Sequence, residues 1–355
     1  MRSWKNREVA GGRVIVHLDL DCFYAQVEAL RNPDLKSKPF GVQQKSLVVT
    51  CNYEARKFGI GKLMSVREAK EKCPQLVLVK GEDLTPYREM SYKVTELLEE
   101  FCPLVERLGL DENFLDITEL VGKRLRNDNS QIRVCGHVYN EQGINYRDPR
   151  HIQLILGSQV AQEFRDSLKS RLGLTGCAGI APSKLLAKLV SGTFKPDQQT
   201  LLLPEKIREL LRGLENVGKV PGIGHRTTQR LESLGIRNLR DLQDFPMDLL
   251  EKEFGSSTAR KLRNLSLGKD NSQIIPWRPP QSFSDEDSFP KCSSEAEAKE
   301  KLRELLPNLL SRISKDGRRP HTLRLTIRRF SRENGNRRES RQCPIPSHLI
   351  PKFGK

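Results

Sequence analysis

The sequence predicts an α/β chain built from several subdomains around a shared cleft. Three observations predict it. The chain has 355 residues, more than one hydrophobic core usually organises. Apolar runs of strand period alternate with helical patterns up to Val190. After Leu203 and Pro204 the pattern changes to short helices, then to a polar linker, and then to one further helix and strand.

Taken in order, residues 1–12 read as a tail, because Gly11 and Gly12 close a polar stretch without periodicity. Val14 to Leu20 is a β-branched and apolar run ending in acids, and Phe23 to Leu30 follows as a helix for which Asp21 is the expected N-cap. Leu47 to Thr50 is a second strand. Asn52 is placed to cap a helix through Lys57, and Gly59 and Gly61 stop it. Ser65 and Glu68 fit a capping box for the next helix, which Cys73 and Pro74 end. Pro86 to Phe101 is a long amphipathic helix, Leu104 to Leu110 a strand running into Asp111 and Glu112, and Phe114 to Ile117 another strand. His151 to Leu172 reads as helix, Cys177 to Ile180 as a buried strand, and Ser183 to Val190 as a helix with Lys184 and Lys188 on one face. The turn Pro221-Gly222-Ile223-Gly224 separates short helices. Asp270 to Pro290 is the linker, Glu295 to Ser314 a helix and His321 to Phe330 a strand.

Lysine and arginine total 61 against 45 acids, a net charge of +16, which points to a polyanionic partner, nucleic acid ahead of a membrane surface. The eight cysteines are scattered without zinc-ligand spacing and read as the reduced thiols of an intracellular protein. No run is apolar enough to span a bilayer, and the N-terminus lacks the core of a signal peptide.

Asp19 and Asp21 lie near the end of one apolar strand, and Asp111 and Glu112 near the end of another. Phosphoryl transfer to a sugar hydroxyl needs neutralised charge on both attacking and leaving oxygens. Two cations about 3.5–4 Å apart, bridged by carboxylates, supply it, and oxygen ligands suit Mg²⁺. On spacing alone these acids read equally as solvated strand ends and caps. Asp21, next to a helix start, takes the structural role.

The flanking residues shift that balance. Asp19-Leu20-Asp21-Cys22-Phe23-Tyr24-Ala25-Gln26-Val27-Glu28 resembles the first signature of the Y-family DNA polymerases. Tyr53-Glu54-Ala55-Arg56 with Gly59 resembles the fingers signature, Leu110-Asp111-Glu112 with Leu115-Asp116 the palm signature, and Lys184 to Pro196 the downstream lysine segment. The motifs stand in family order, and the resemblance runs from about Arg13 to Pro346. Gly109 departs from the serine that many members carry before the acidic pair, at a position that is not a metal ligand.

The resemblance implies a right-hand polymerase: palm over 13–22 and 84–205, fingers over 23–83, a thumb with a helix-hairpin-helix over 206–270, a linker over 271–290, and a βα little finger over 291–355 expected to lack its last helix and strand. Two Mg²⁺ ions, with Mn²⁺ as an alternative, are implied at Asp19, Asp111, Glu112 and the Leu20 carbonyl. The implied nucleotide site comprises Cys22, Phe23, Tyr24, Tyr53, Arg56, Lys62 and Lys195, with Tyr24 as steric gate against a 2′-hydroxyl. Stretches such as Val42-Gln43-Gln44-Lys45 and Cys51-Asn52-Tyr53 match one branch of the family, in which Gln44, Lys45 and Leu47 cover the templating base. The expected activity is low-fidelity, lesion-bypassing DNA synthesis in the nucleus, from dNTP onto primer-template DNA. Replication-clamp and ubiquitin-type partners are expected only through C-terminal regions beyond this sequence.

Two surfaces remain. Gly222 and Gly224 suit close approach of backbone amides to a phosphate, with a plain helix-connecting turn as the alternative. Arg318 to Arg341 carries nine arginines against Glu333 and Glu339. Leu323, Leu325 and Ile327 are expected to pack inward while Arg324 and Arg328, with neighbouring Arg329, track phosphates. Two other functions fit parts of the pattern: a catalytically silent DNA-binding scaffold, and a nucleotide cyclase with a related palm. A cyclase has no use for the hairpin and the arginine-rich end.

Overall fold

The computed structural model describes residues 12–126, 132–141, 143–289, 292–329 and 337–346. The chain forms two compact units that meet in sequence at Trp277 and Arg278.

In the first unit, β1 (Ile15–Leu20) leads into α1 (Phe23–Arg31). β2 (Phe40–Gln44), β3 (Leu47–Cys51), α2 (Tyr53–Arg56), β4 (Met64–Ser65), α3 (Val66–Lys72) and β5 (Val77–Lys80) follow. Next come α4 (Thr85–Phe101), β6 (Val105–Leu108), β7 (Glu112–Asp116), α5 (Thr118–Arg126), β8 (His137–Val138), α6 (Pro149–Ser167), β9 (Gly176–Ala181), α7 (Lys184–Ser191) and β10 (Gln199–Leu201). Five short helices close the unit: α8 (Ile207–Arg212), α9 (His225–Ser233), α10 (Leu239–Asp244), α11 (Met247–Phe254) and α12 (Ser256–Ser266). One sheet runs β6-β7-β1-β9-β10-β8 and a second β4-β3-β2-β5.

β1 is central and antiparallel to both β7 and β9. Its period of two divides its side chains cleanly. Val14, Val16, Leu18 and Leu20 enter the main core with Val94, Leu98, Leu156 and Phe164 of α4 and α6. Ile15 enters a second core with Phe114, Leu186, Ala187 and Val190, so the opposite face, which His17 and Asp19 share, looks towards α7. Burying each such aliphatic side chain contributes about 1.5–3 kcal/mol, which fixes this register: a one-residue slip would invert both faces. The short helices have a core of their own, with Val217, Ile223, Leu231, Leu250 and Leu262.

Several expectations are corrected. Asp111 and Glu112 do not end a strand: β6 stops at Leu108, Gly109 takes a φ of +74°, Asp111 sits in the turn and Glu112 opens β7. Asp21 does not cap α1; the cap position is Cys22, in the left-handed region at φ 32° and without a side-chain cap bond. The expected N-caps Asn52 and Ser65 do accept from Ala55 N–H and Glu68 N–H. β2 and β5 had no sequence expectation; Gln43 and Gln44 interrupt the apolar signal, yet β2 lies between β3 and β5. The stretch read as linker begins as a docked strap. Ile274 is buried, Ile275 N–H donates to Glu106 Oε2 (2.7 Å) and Trp277 N–H to the Val105 carbonyl (2.9 Å), covering edge strand β6.

The second unit holds α13 (Glu295–Asp316) and the antiparallel pair β11 (Thr322–Arg329) and β12 (Arg337–Pro344). Among the described residues, the apolar face expected to pack inward does not: Leu323, Leu325 and Ile327 are 42–50% exposed. The tail at 1–11, Phe330 at the expected strand end, Arg332 and residues 347–355 lie outside the described residues. Among the described residues no helix is long and apolar enough to cross a membrane.

Candidate active site

The β1–β7 register sets Asp19 opposite Glu112, and Leu20 N–H donates to the Asp111 carbonyl at 2.9 Å. Three carboxylates from two distant segments therefore converge at one end of the sheet. Burial first, then the charges of Asp19 and Glu112, raise the Asp111 carboxyl above the ordinary range, while Lys62 opposes this. Glu112 goes the other way. Burial pushes it up, but hydrogen bonds from His17 and Lys188 outweigh burial and hold it at about 2. His17 Nε2 lies 2.8 Å from Glu112 Oε2, and Lys188 Nζ pairs with the same oxygen. Lys195 Nζ lies 2.6 Å from Asp19 Oδ2.

These residues fit divalent cations. The donors are all oxygen, as hard cations require, and lysine ammonium groups already balance the clustered charge. Among the described residues, the grouping tight enough for a single ion is elsewhere, at Asp148, His151 and Glu205. That grouping is a poor ligand set. His151 Nδ1 accepts from Asn145 N–H (3.1 Å), so Nε2 carries the proton, donates to Glu205 (3.0 Å) and has no lone pair to offer. Asp148 is occupied by Arg150 and caps α6. The Asp19, Asp111 and Glu112 carboxylates are not drawn together to that single-ion spacing.

Among the expected nucleotide residues, Lys195 meets Asp19, and Tyr24 and Lys62 lie within electrostatic range of Asp111. Tyr24 is half-buried and stacked on Tyr87, with ring centroids 4.0 Å apart and planes at 10°. Burial and then the Asp111 charge raise its hydroxyl pKa. Tyr87 is held in turn by its hydroxyl donating to Glu28 (2.9 Å). On α2 the Arg56 guanidinium lies 4.4 Å from the Tyr53 ring, and the Tyr53 hydroxyl donates to Asp21 at 3.4 Å. Cys22 and buried Phe23 open α1, where first-turn N–H groups point outward. Burial pushes the Cys22 thiol up to about 12 despite Arg56, so it stays protonated and is no nucleophile. Lys62 is exposed.

Gln44, Lys45 and Leu47 form the tip of the β2–β3 hairpin, closed by Lys45 at φ 52° and Ser46. Gln44 donates to the Gly81 carbonyl (2.7 Å), Lys45 N–H to Glu82 (3.2 Å), and Leu47 is 38% exposed. Gly222, at φ +94°, and Gly224, the N-cap of α9, flank buried Ile223. In the second unit Arg324 donates to Gln342 (2.7 Å), Arg328 pairs with Glu286 (3.2 Å), and Arg329 is exposed.

Three residues at the site had no assigned role in the sequence reading: His17, Lys188 and Ser191. The signal was faint but present, a lone polar ring in the apolar run two residues before Asp19, and a lysine one turn from Lys184. Asp21 turns out to be a hub. Its carboxylate accepts from the Thr175 hydroxyl (2.9 Å) and from Asp197 N–H (2.9 Å), tying β1 to the segment that carries Lys195.

The chain matches the impB/mucB/samB family over residues 18–192, the DNA polymerase-iota thumb domain over 218–270 and the impB/mucB/samB C-terminal domain over 280–351. It is 64% identical to DNA polymerase iota of Homo sapiens, over 97% of this chain and 47% of that protein. To DNA polymerase iota of Drosophila melanogaster it is 43% identical, over 95% of this chain and 47% of that protein. DNA polymerase IV of Actinobacillus pleuropneumoniae is 33% identical, over 87% of this chain and 79% of the relative. The chain thus spans about half the length of the iota relatives, and most of the length of the bacterial one. With three family segments in order and a bacterial relative matched along most of its length, the chain belongs to the impB/mucB/samB family, the Y-family translesion DNA polymerases.

Proposed function

We propose that the chain is the catalytic core of a low-fidelity, template-directed DNA polymerase that extends primers past damaged template bases, acting in the nucleus. The convergence of Asp19, Asp111 and Glu112 across the β1–β7 register carries this reading. Asp19, Asp111, Glu112 and the Leu20 carbonyl are the ligands for two divalent ions, Mg²⁺ or Mn²⁺. When bound, the ions neutralise charge on the attacking 3′-oxygen and the leaving pyrophosphate. Lys195, Arg56, Lys62 and the Tyr53 hydroxyl bind the triphosphate, with the N–H groups of Cys22 and Phe23 completing the cradle. The Tyr24 ring, backed by Tyr87, lies under the sugar and excludes a 2′-hydroxyl. Gly222, Gly224, Arg324, Arg328 and Arg329 hold DNA phosphates.

Gln44, Lys45 and Leu47 press on the templating base, leaving a pocket too narrow for an ordinary purine-pyrimidine pair. A template purine escapes by rotating to syn and offering its Hoogsteen edge; a pyrimidine has no such edge. Primer extension opposite each template base is the test. Accurate copying opposite A is expected, with dGTP rivalling dATP opposite T, and Leu47→Ala should reduce the asymmetry. Equal fidelity at A and T would reject the template-pocket assignment, and no extension at all would favour a silent DNA-binding scaffold.

A further inference from the structure

Glu112 is gripped by groups that the proposed chemistry does not use. His17 is completely buried, stands on the same face of β1 as Asp19, and lies 2.8 Å from Glu112 Oε2. Lys188 pairs with that same oxygen, so Oε1 is the one left to ligate. Behind the imidazole, Nδ1 lies 2.8 Å from Ser191 Oγ, and the Phe114 ring covers one side at a centroid distance of 4.6 Å. An ionised carboxylate can only accept, so Nε2 carries the hydrogen. Ser191 Oγ lies 2.9 Å from the Lys188 carbonyl as well.

The close approach of α7 makes this chain of contacts feasible. Gly179 of β9, paired with His17, meets α7 so tightly that a Cβ there would lie 2.0 Å from the Ala187 carbonyl oxygen and 2.8 Å from Ser191 N. The bare glycine lets the helix settle onto the sheet, and Ser191 and Lys188 reach the back of the metal-ligand shell together.

We propose that His17 is a positioning residue, which Ser191 orients in turn, that holds Glu112 by Oε2 and thereby aims Oε1 at the metal site. The proposal rests on the two-metal reading above. A hydrogen-bond partner that orients a metal ligand is commonly worth about 10- to 100-fold in metal affinity or activity. His17 differs from a merely structural core residue in having that effect below the unfolding temperature.

The test uses the whole chain bound to primer-template ended by a dideoxynucleotide, with dNTP present. Mn²⁺ binding is read by electron paramagnetic resonance, and kcat, DNA affinity and Tm are measured alongside. His17→Phe, which keeps a ring and loses both nitrogens, should raise half-saturating Mn²⁺ and lower kcat by about 10-fold or more, with DNA affinity unchanged. His17→Gln, which offers an N–H towards Glu112, should recover most of both. Ser191→Ala should shift Mn²⁺ binding in the same direction by less, and it decides the matter if His17→Phe fails to fold. A His17→Phe protein that only melts earlier, with Mn²⁺ binding and kcat unchanged, would overturn the proposal, as would unchanged binding in Ser191→Ala when that variant must decide. Asp111→Ala separates this from the parent reading: if it still extends primers, the two-metal assignment itself fails; if it is inactive while His17→Phe binds metal normally, only the positioning role fails.

Discussion

Lys195 and Asp19 are 176 residues apart in the chain and 2.6 Å apart at their charged atoms. The contact gives the carboxylate a counter-charge in the free protein and stations the ammonium beside the proposed triphosphate site. Lys195→Ala should raise KM for dNTP by about tenfold or more, since a charge-assisted contact to phosphate is among the stronger hydrogen bonds. The effect on kcat should be smaller, and Lys195→Arg should restore part of the loss. Steady-state kinetics decides: a fall in kcat with KM unchanged would mean that Lys195 acts only through Asp19.

Tyr24 rests on Tyr87 at 4.0 Å, so deleting its ring opens a slot with a rigid floor one stacking distance lower. Tyr24→Ala should raise the ratio of ribo- to deoxyribonucleotide efficiency by about tenfold or more, equivalent to roughly 1.4 kcal/mol of lost discrimination. Tyr24→Phe should leave the ratio unchanged, because in the proposed gate the wall is the ring and not the hydroxyl. Single-nucleotide incorporation of paired ribo- and deoxyribonucleotides measures both.

Gly179→Ala places a methyl against backbone, not against a flexible side-chain end. It should destabilise the protein by about 1–3 kcal/mol or more, the usual range for overpacking. Gly61→Ala, with nothing within 4 Å of its added Cβ, should stay within about 0.5 kcal/mol. Thermal melting of the two variants checks this; equal Tm values would mean that α7 lifts from β9 at no cost.

Arg328 and Glu286 form an exposed pair, with side chains 52% and 70% accessible, which contributes little and can exchange its carboxylate for a phosphate. If about six basic groups meet phosphates, primer-template affinity should fall roughly 10³-fold between 50 and 200 mM salt. Arg324→Ala with Arg328→Ala should flatten that slope. Binding titrations at several salt concentrations would refute the assignment if affinity did not change with salt.

The strand β1 was legible in the sequence as a β-branched and apolar run from Val14 to Leu20, and its side chains enter both cores. The sequence also carried the caps at Asn52 and Ser65, whose side chains act within three residues of their own position. The acidic residues of the site were legible as motifs, since their order and neighbours are local. Tertiary structure alone decided their surroundings. Asp21 caps nothing and instead holds Thr175 and Asp197, because burial against β9 offered it stronger donors than the helix start. The strand face of Leu323, Leu325 and Ile327 has the right alternation, yet it stays exposed, because alternation specifies a face and not what covers it. His17 and Ser191 meet across 174 residues only because Gly179 lets α7 approach the sheet. Periodicity and capping are properties of neighbouring residues, whereas a partner for a buried polar atom is set by which distant backbone packs within hydrogen-bond reach.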